Sequence, residues 1–150
     1  MTDGGERVTL GRARDVWIVE DEPAAAALAA DLCDANGAVP SVYRLPIAFL
    51  TALRTCAPPA AVILDWRLEH ELSAALFLAT RHRYPDIPVI YWTGSPSSSL
   101  PSMISDDRRT TIVDKAAGSY SFEAALTWAL GTQWHPPRED RDGREERVAG

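Results

Sequence analysis

The sequence predicts an α/β protein whose parallel five-stranded sheet is covered by helices on both faces. Five short, mainly apolar runs have the length of strands: 15–19, 39–43, 60–64, 87–92 and 110–113. Segments with apolar residues at helical spacing separate most of them, and this alternation is typical of right-handed crossovers in a parallel sheet. The 150 residues suffice for one domain with a core. We expect a loose N-terminal arm (1–14), one domain (15–132) and a charged C-terminal tail (133–150).

Proline and glycine mark the boundaries of the first elements. Pro23 suits the first residue of a helix, which would end at Gly37. Pro40 lies inside the second strand and cannot donate a ladder hydrogen bond, so this strand should lie at an edge of the sheet. Pro46 can begin a second helix, which the prolines at 58 and 59 would end.

The second half of the chain predicts a strong last helix and a weak fourth one. Ser73 is an acceptable N-cap for a third helix running to about Arg83. Residues 95–107 are rich in Ser and Pro, which predicts a reduced fourth helix. The apolar residues at 122, 125, 126, 129 and 130 predict a final helix, capped by Ser119 or Ser121 and ended by Gly131.

An edge position for the second strand favours the strand order 2-1-3-4-5. This is the order of the flavodoxin-like (βα)5 fold, a doubly wound sandwich. The first and third strands are then neighbours, and ligands of such folds bind at the carboxyl ends of strands where the order reverses.

Polar residues end the strands at this expected crevice: Glu20, Asp21, Asp65, Thr93 and Lys115. Three carboxylates this close need a counter-charge. Mg²⁺ suits them because it needs few protein ligands and retains several waters. Asp65 could then act as a nucleophile toward a phosphoryl donor. Lys115 and the metal would neutralise the phosphoryl oxygens, and Thr93 could hydrogen-bond the group once formed.

These five residues, in this order and at these separations, resemble the receiver domain of two-component response regulators, over about residues 14–132. The chain is more similar to stand-alone, single-domain receivers than to receivers of transcription factors. The resemblance implies that Asp65 accepts a phosphoryl group from a histidine kinase or a phosphotransfer protein. It also implies Mg²⁺ as the cofactor, with Mn²⁺ as a substitute. The implied metal ligands are Asp21, Asp65 and the backbone carbonyl of Arg67, with Glu20 acting through water. Thr93 and Lys115 would contact the phosphoryl group.

Other positions are assigned by the same resemblance. Arg67 and Ser95 would flank the phosphoryl group and tune the rates of phosphorylation and hydrolysis. Arg67 could equally be a surface cation that pairs with Glu69 or Glu71. Thr93 would be coupled to a switch residue at position 112. This residue is commonly aromatic in the family, but it is isoleucine (Ile112) in this chain. The proline that often follows the lysine is Ala116 here.

The sequence therefore predicts a signalling domain rather than an enzyme, beyond catalysis of its own phosphorylation and dephosphorylation. Output would occur through contact with an unknown downstream protein or onward phosphotransfer, and a homodimer is left open. The net charge of −6 argues against direct nucleic-acid binding. The lack of a membrane-length apolar run argues against a membrane partner. We expect a cytoplasmic protein with reduced cysteines, whose tail from Arg138 onward adds to a partner surface.

Three rival classes of protein remain. A haloacid-dehalogenase-type phosphohydrolase would require a second acid two residues after Asp65, where Arg67 stands. A flavin carrier would require a phosphate cradle after the first strand, where the acids at 20–22 would repel a phosphate. A receiver-like protein-binding scaffold that works without phosphorylation remains the alternative.

Overall fold

The computed structural model describes residues 14–68 and 71–131. The strands are β1 (Asp15–Val19), β2 (Val39–Tyr43), β3 (Ala61–Leu64), β4 (Arg67–Leu68), β5 (Glu71–Leu72), β6 (Val89–Thr93) and β7 (Thr110–Asp114). The helices are α1 (Pro23–Ala35), α2 (Pro46–Thr55), α3 (Ala74–Arg83), α4 (Ser102–Ser105) and α5 (Ser119–Leu130). The predicted arm and tail lie outside the described residues, apart from Arg14.

Five strands form one parallel sheet in the order β2-β1-β3-β6-β7. When these five strands are numbered in chain order, they follow the predicted order 2-1-3-4-5, and the flavodoxin-like fold is confirmed. The strand that contains Pro40 is an edge strand, as predicted, with Pro40 opposite Val16. The strand order reverses between β1 and β3, which defines the switch point of the sheet. The side chains that follow these two strands are therefore neighbours.

The core has two halves, one on each face of the sheet, because successive strand residues point to opposite faces. On β1, Val16 and Ile18 pack with α1 and α5. Trp17 and Val19 pack instead with α2 and α3. The four residues of β3 are at most 1% exposed, as expected for a central strand covered on both faces.

The crossover between β6 and β7 is reduced, as predicted. It contains a 3₁₀ turn at Ser97–Ser99 and the four-residue helix α4. Ile104 of α4 is fully buried, so even this short helix is fixed to the core.

Local details differ from the sequence prediction in three places. The hairpin of β4 and β5 was not predicted. The N-cap of α5 is Gly118, at φ 91°, so the prediction of a Ser119 or Ser121 cap was wrong. A positive φ favours glycine, which has no Cβ to clash. Ser73 does hold the N-cap position of α3, but its side chain makes no capping bond. Within the described residues, no helix has the length and apolarity needed to cross a membrane.

Candidate functional site

The predicted site residues lie at the carboxyl ends of four strands of the sheet. Glu20 follows β1, Asp65 follows β3, Thr93 ends β6 and Lys115 follows β7. Parallel pairing aligns these strand ends at one edge of the sheet. The topology therefore brings residues 20, 65 and 115 close together.

Lys115 joins the two acids at the switch point. Its Nζ lies 2.8 Å from Asp65 Oδ2 and 2.8 Å from Glu20 Oε1. The side chains of Glu20 and Asp65 are only 2% and 10% exposed, and that of Lys115 is 24% exposed. One ammonium thus balances two largely dehydrated carboxylates, which leaves the pair with excess negative charge.

Glu20 is the most deeply buried of these acids. Its Oε2 accepts a hydrogen bond from the backbone N–H of Glu22 at 3.1 Å. Its Oε1 lies 2.8 Å from the Lys115 ammonium. Burial raises the pKa of Glu20, against the opposing effects of Lys115 and the Glu22 N–H. The described site therefore compensates only partly for the dehydration of Glu20.

Lys115 responds in the opposite way to its surroundings. Burial alone would lower the pKa of its ammonium, but the hydrogen bond to Asp65 and the pairing with Glu20 outweigh burial and raise it. Lys115 is therefore a fixed positive charge beside the carboxylate of Asp65, the candidate phosphoacceptor. Its place is set by the 3₁₀ turn 115–117, where Asp114 accepts a hydrogen bond from the Ala116 N–H at 2.8 Å.

Arg67 and Ser95 contact the site through their backbones. The Arg67 N–H donates to Asp65 Oδ1 at 3.3 Å, and the Ser95 N–H donates to Thr93 Oγ1 at 3.1 Å. The Arg67 side chain is exposed and that of Ser95 is half-buried. Their predicted rate-tuning roles stay predictions, and the side chains of Glu69 and Glu71, the other proposed partners of Arg67, lie outside the described residues.

Asp21 and Ile112 are both partly exposed. Asp21 is half-buried just before α1. Ile112 is half-buried and packs against the core half formed with α2 and α3. Its coupling to Thr93 stays a prediction. The described residues contain no cis peptide bond, so the bond between Lys115 and Ala116 is trans.

Three supporting contacts were not predicted. Ser73 Oγ donates to the hydroxyl of Tyr91 at 3.2 Å, and the Ser73 N–H donates to the Trp66 carbonyl at 2.9 Å. These bonds tie the segment after Asp65 to β6. The indole of Trp92 lies against Lys115. The sequence did contain a signal for the Trp92 contact. Trp92 directly precedes Thr93, and its side chain is expected on the face opposite to Tyr91.

The gathered side chains have the chemistry that Mg²⁺ prefers. In residues 14–68 and 71–131, no group of three or more carboxylate, imidazole or thiol side chains is arranged to hold a metal ion. The carboxylate oxygens of Glu20 and Asp65 are nevertheless hard donors that share a single positive charge, that of Lys115. Mg²⁺ needs only one or two carboxylates when waters and phosphate oxygens complete its coordination. The donor set is therefore compatible with the predicted cation.

Comparison with known proteins gives a consistent picture of the fold. No family model and no curated protein sequence matches the chain. Solved structures do match. A CheY-like response regulator receiver protein from Methanospirillum hungatei has a TM-score of 0.71 at 14% identity, covering 80% of this chain and 95% of that one. A receiver protein from Sinorhizobium medicae has a TM-score of 0.69 at 15% identity, covering 80% and 96%.

A third match is a response regulator from Thermotoga maritima, solved in complex with Mg²⁺ and BeF. It has a TM-score of 0.67 at 18% identity and covers 77% of this chain and 98% of that one. Likeness at such low identity shows the fold. The chain therefore has the fold of response regulator receiver domains.

Proposed function

We propose that this chain is a single-domain response regulator that accepts a phosphoryl group on Asp65. The observation that carries the proposal is the bridging of Asp65 and Glu20 by the Lys115 ammonium at the switch point. Each residue type occurs at many strand ends, but a buried acid pair with one shared lysine needs an explanation. Phosphoryl transfer to Asp65 would explain this arrangement, because the positive charge of Lys115 lies where negative charge would develop on the phosphoryl group.

The groups present support phosphoryl transfer from a phosphohistidine. A carboxylate oxygen of Asp65 attacks the phosphorus of a phosphohistidine, the new P–O bond forms and the P–N bond breaks. The imidazole nitrogen leaves with the bonding electron pair and takes up a proton. Lys115, already paired with Asp65 Oδ2, stabilises negative charge on the transferred group, and the Thr93 hydroxyl can donate to it.

Mg²⁺ is the proposed cofactor, with Mn²⁺ as a substitute. When bound, it would neutralise charge on the phosphoryl oxygens. Its proposed ligands are Asp21, Asp65 and the Arg67 carbonyl, and Glu20 would act through a water molecule. The Mg²⁺–BeF complex of the Thermotoga maritima relative supports this assignment, as does the excess negative charge of the site.

A phosphorelay role follows from the same proposal. The donor would be a sensor histidine kinase or a histidine phosphotransfer protein, in the cytoplasm. The output would be contact with a downstream protein or onward phosphotransfer, and catalysis would extend only to the chain's own phosphorylation and dephosphorylation. Arg67 and Ser95 would set the lifetime of the phosphoryl group.

Calorimetric titration with Mg²⁺, followed by beryllofluoride, tests the proposal. We expect the wild type to bind Mg²⁺ and then the acyl-phosphate mimic in a Mg²⁺-dependent step. Asp65→Asn should lose the second step and remain folded. Asp86→Asn, an exposed acid at the opposite end of the sheet, is the matched control and should bind as the wild type does. A folded wild type that binds neither probe would refute the proposal and favour the phosphorylation-independent scaffold.

A further inference from the structure

The Lys115 ammonium contacts an aromatic ring as well as two carboxylates. Its Nζ lies 5.2 Å from the centroid of the Trp92 ring. This distance is within the range of a cation–π interaction, and tryptophan offers the most favourable ring face. The ammonium therefore has an attractive partner on a third side, in addition to Asp65 and Glu20.

The Trp92 ring is itself held firmly. It is 4% exposed and belongs to the core half formed with α1 and α5. The ring of Phe122, which is fully buried on α5, meets it at a centroid distance of 5.1 Å and an interplanar angle of 75°. Displacing the indole would open this part of the core. The ring face of Trp92 is therefore held in a fixed position beside Lys115.

We propose that Trp92 is a positioning residue that holds the Lys115 ammonium at the phosphoacceptor carboxylate. The proposal rests on the function proposed for Asp65. A lysine side chain has four rotatable bonds, and ordering it costs conformational entropy. The ring restricts the ammonium to the narrow space that it shares with Asp65 Oδ2 and Glu20 Oε1. Lys115 is therefore kept ready for the phosphoryl oxygens instead of being ordered during transfer.

Trp92 can contact Lys115 because its side chain lies on the face of the sheet that packs against α1 and α5. Ile112, the residue at the expected switch position, has no aromatic ring and packs with the core half on the other face. Tyr91 also faces that half. The ring beside the site lysine is thus provided by β6 and is supported by α5 through Phe122.

Fluorinated tryptophans at position 92 provide a test that leaves the size of the ring almost unchanged. Each added fluorine weakens the negative electrostatic potential of the ring face. With site-specific incorporation, we expect the affinity for beryllofluoride in saturating Mg²⁺ to fall stepwise. The full loss should be about 3- to 30-fold, as expected for a partly dehydrated cation–π contact. The same series at Trp17 is the matched control, since Trp17 is also 4% exposed but lies on β1 in the other core half.

A second measurement reports the contact without reference to binding. In the wild type, the ring current of Trp92 should shift the ε-methylene protons of Lys115 in the NMR spectrum. Trp92→Phe should retain part of this shift and Trp92→Leu should abolish it. If the wild type binds the mimic but the fluorination series is flat, Trp92 serves packing only and the positioning role is refuted. If the wild type does not bind the mimic, the proposed function fails first, and the Lys115 signal still shows whether the contact exists.

Discussion

Replacing Arg81 with alanine should destabilise the fold while leaving the candidate site intact. Arg81 lies on α3, at the end of the sheet opposite to Asp65. Its guanidinium forms a two-pronged ion pair with Asp107, with Nη2 to Oδ2 at 2.7 Å and Nε to Oδ1 at 3.1 Å. Nη1 donates to the Ile87 carbonyl at 2.7 Å, and Nη2 donates to the Arg109 carbonyl at 3.1 Å. One side chain thus joins α3 to the segments that enter β6 and β7.

The expected loss follows from these contacts. The side chains of Arg81 and Asp107 are 13% and 21% exposed, so solvent screens the pair only partly. A hydrogen bond to a charged group contributes about 1.5–3 kcal/mol net, and such values are not additive. Asp107 would keep the Thr110 hydroxyl at 2.6 Å and the Arg109 N–H at 3.2 Å, which limits the damage. We therefore expect Arg81→Ala to lower the free energy of unfolding by about 2–4 kcal/mol and Tm by about 8–15 °C.

The pH dependence of the loss has a definite sign. The hydrogen bond from Arg81 is the main cause that holds the pKa of Asp107 below its ordinary value of 3.8. A depressed folded-state pKa gives stability that is present above the unfolded pKa and disappears as the pH falls through the folded pKa. The difference between the wild type and Arg81→Ala should therefore shrink in acid, at pH values below about 4.

Urea and thermal unfolding, followed by circular dichroism between pH 3 and 7, measure these effects. Arg108→Ala is the matched control, because Arg108 is an exposed neighbour of the same network. It should change the free energy of unfolding by less than about 0.5 kcal/mol. If Arg81→Ala is as mild as Arg108→Ala, the structural role of the ion pair is wrong. Loss of Mg²⁺ binding in a stable Arg81→Ala protein would contradict its separation from the site.

Three further predictions concern the site, its support and the tail. Glu20→Gln should raise the free energy of unfolding at pH 7 by about 1 kcal/mol in urea unfolding, because burial disfavours the charged form of Glu20. The same variant should weaken Mg²⁺ binding in calorimetry. A lower free energy of unfolding would show that the charge of Glu20 is well compensated. Tyr91→Phe should cost about 1–2 kcal/mol, because Ser73 Oγ loses its buried partner, and an unchanged urea midpoint would contradict this. Deletion of residues 138–150 should weaken binding to the partner in surface plasmon resonance; unchanged affinity would remove the proposed role of the tail.

The sequence predicted the sheet well because a buried parallel strand leaves a plain signal. The runs at 15–19 and 39–43 gave strands with the same bounds in the structure. Pro40 revealed the edge, since proline lacks the N–H that an internal strand needs. The hairpin of β4 and β5 was missed because strands of two residues are too short to show a period.

The strand-end residues were predictable as a set, but their contacts were not. Parallel strands whose order is known must bring Glu20, Asp65 and Lys115 to one edge of the sheet. The sequence does not show that the lysine bridges both acids, because this depends on side-chain geometry. The contacts of Trp92 with Lys115 and of Arg81 with Asp107 join residues 23 and 26 positions apart, and no local pattern encodes them.

Direct detection of a phosphoryl group on Asp65 tests the central claim most directly. The purified chain would be incubated with a small acyl-phosphate donor and Mg²⁺, and the product mapped by mass spectrometry of its peptides. We expect one phosphoryl group on Asp65, labile to hydroxylamine as an acyl phosphate should be, and absent without Mg²⁺ or in Asp65→Asn. A phosphoryl group on another residue, or none on a folded protein that binds Mg²⁺, would contradict the assignment of Asp65 as the phosphoacceptor.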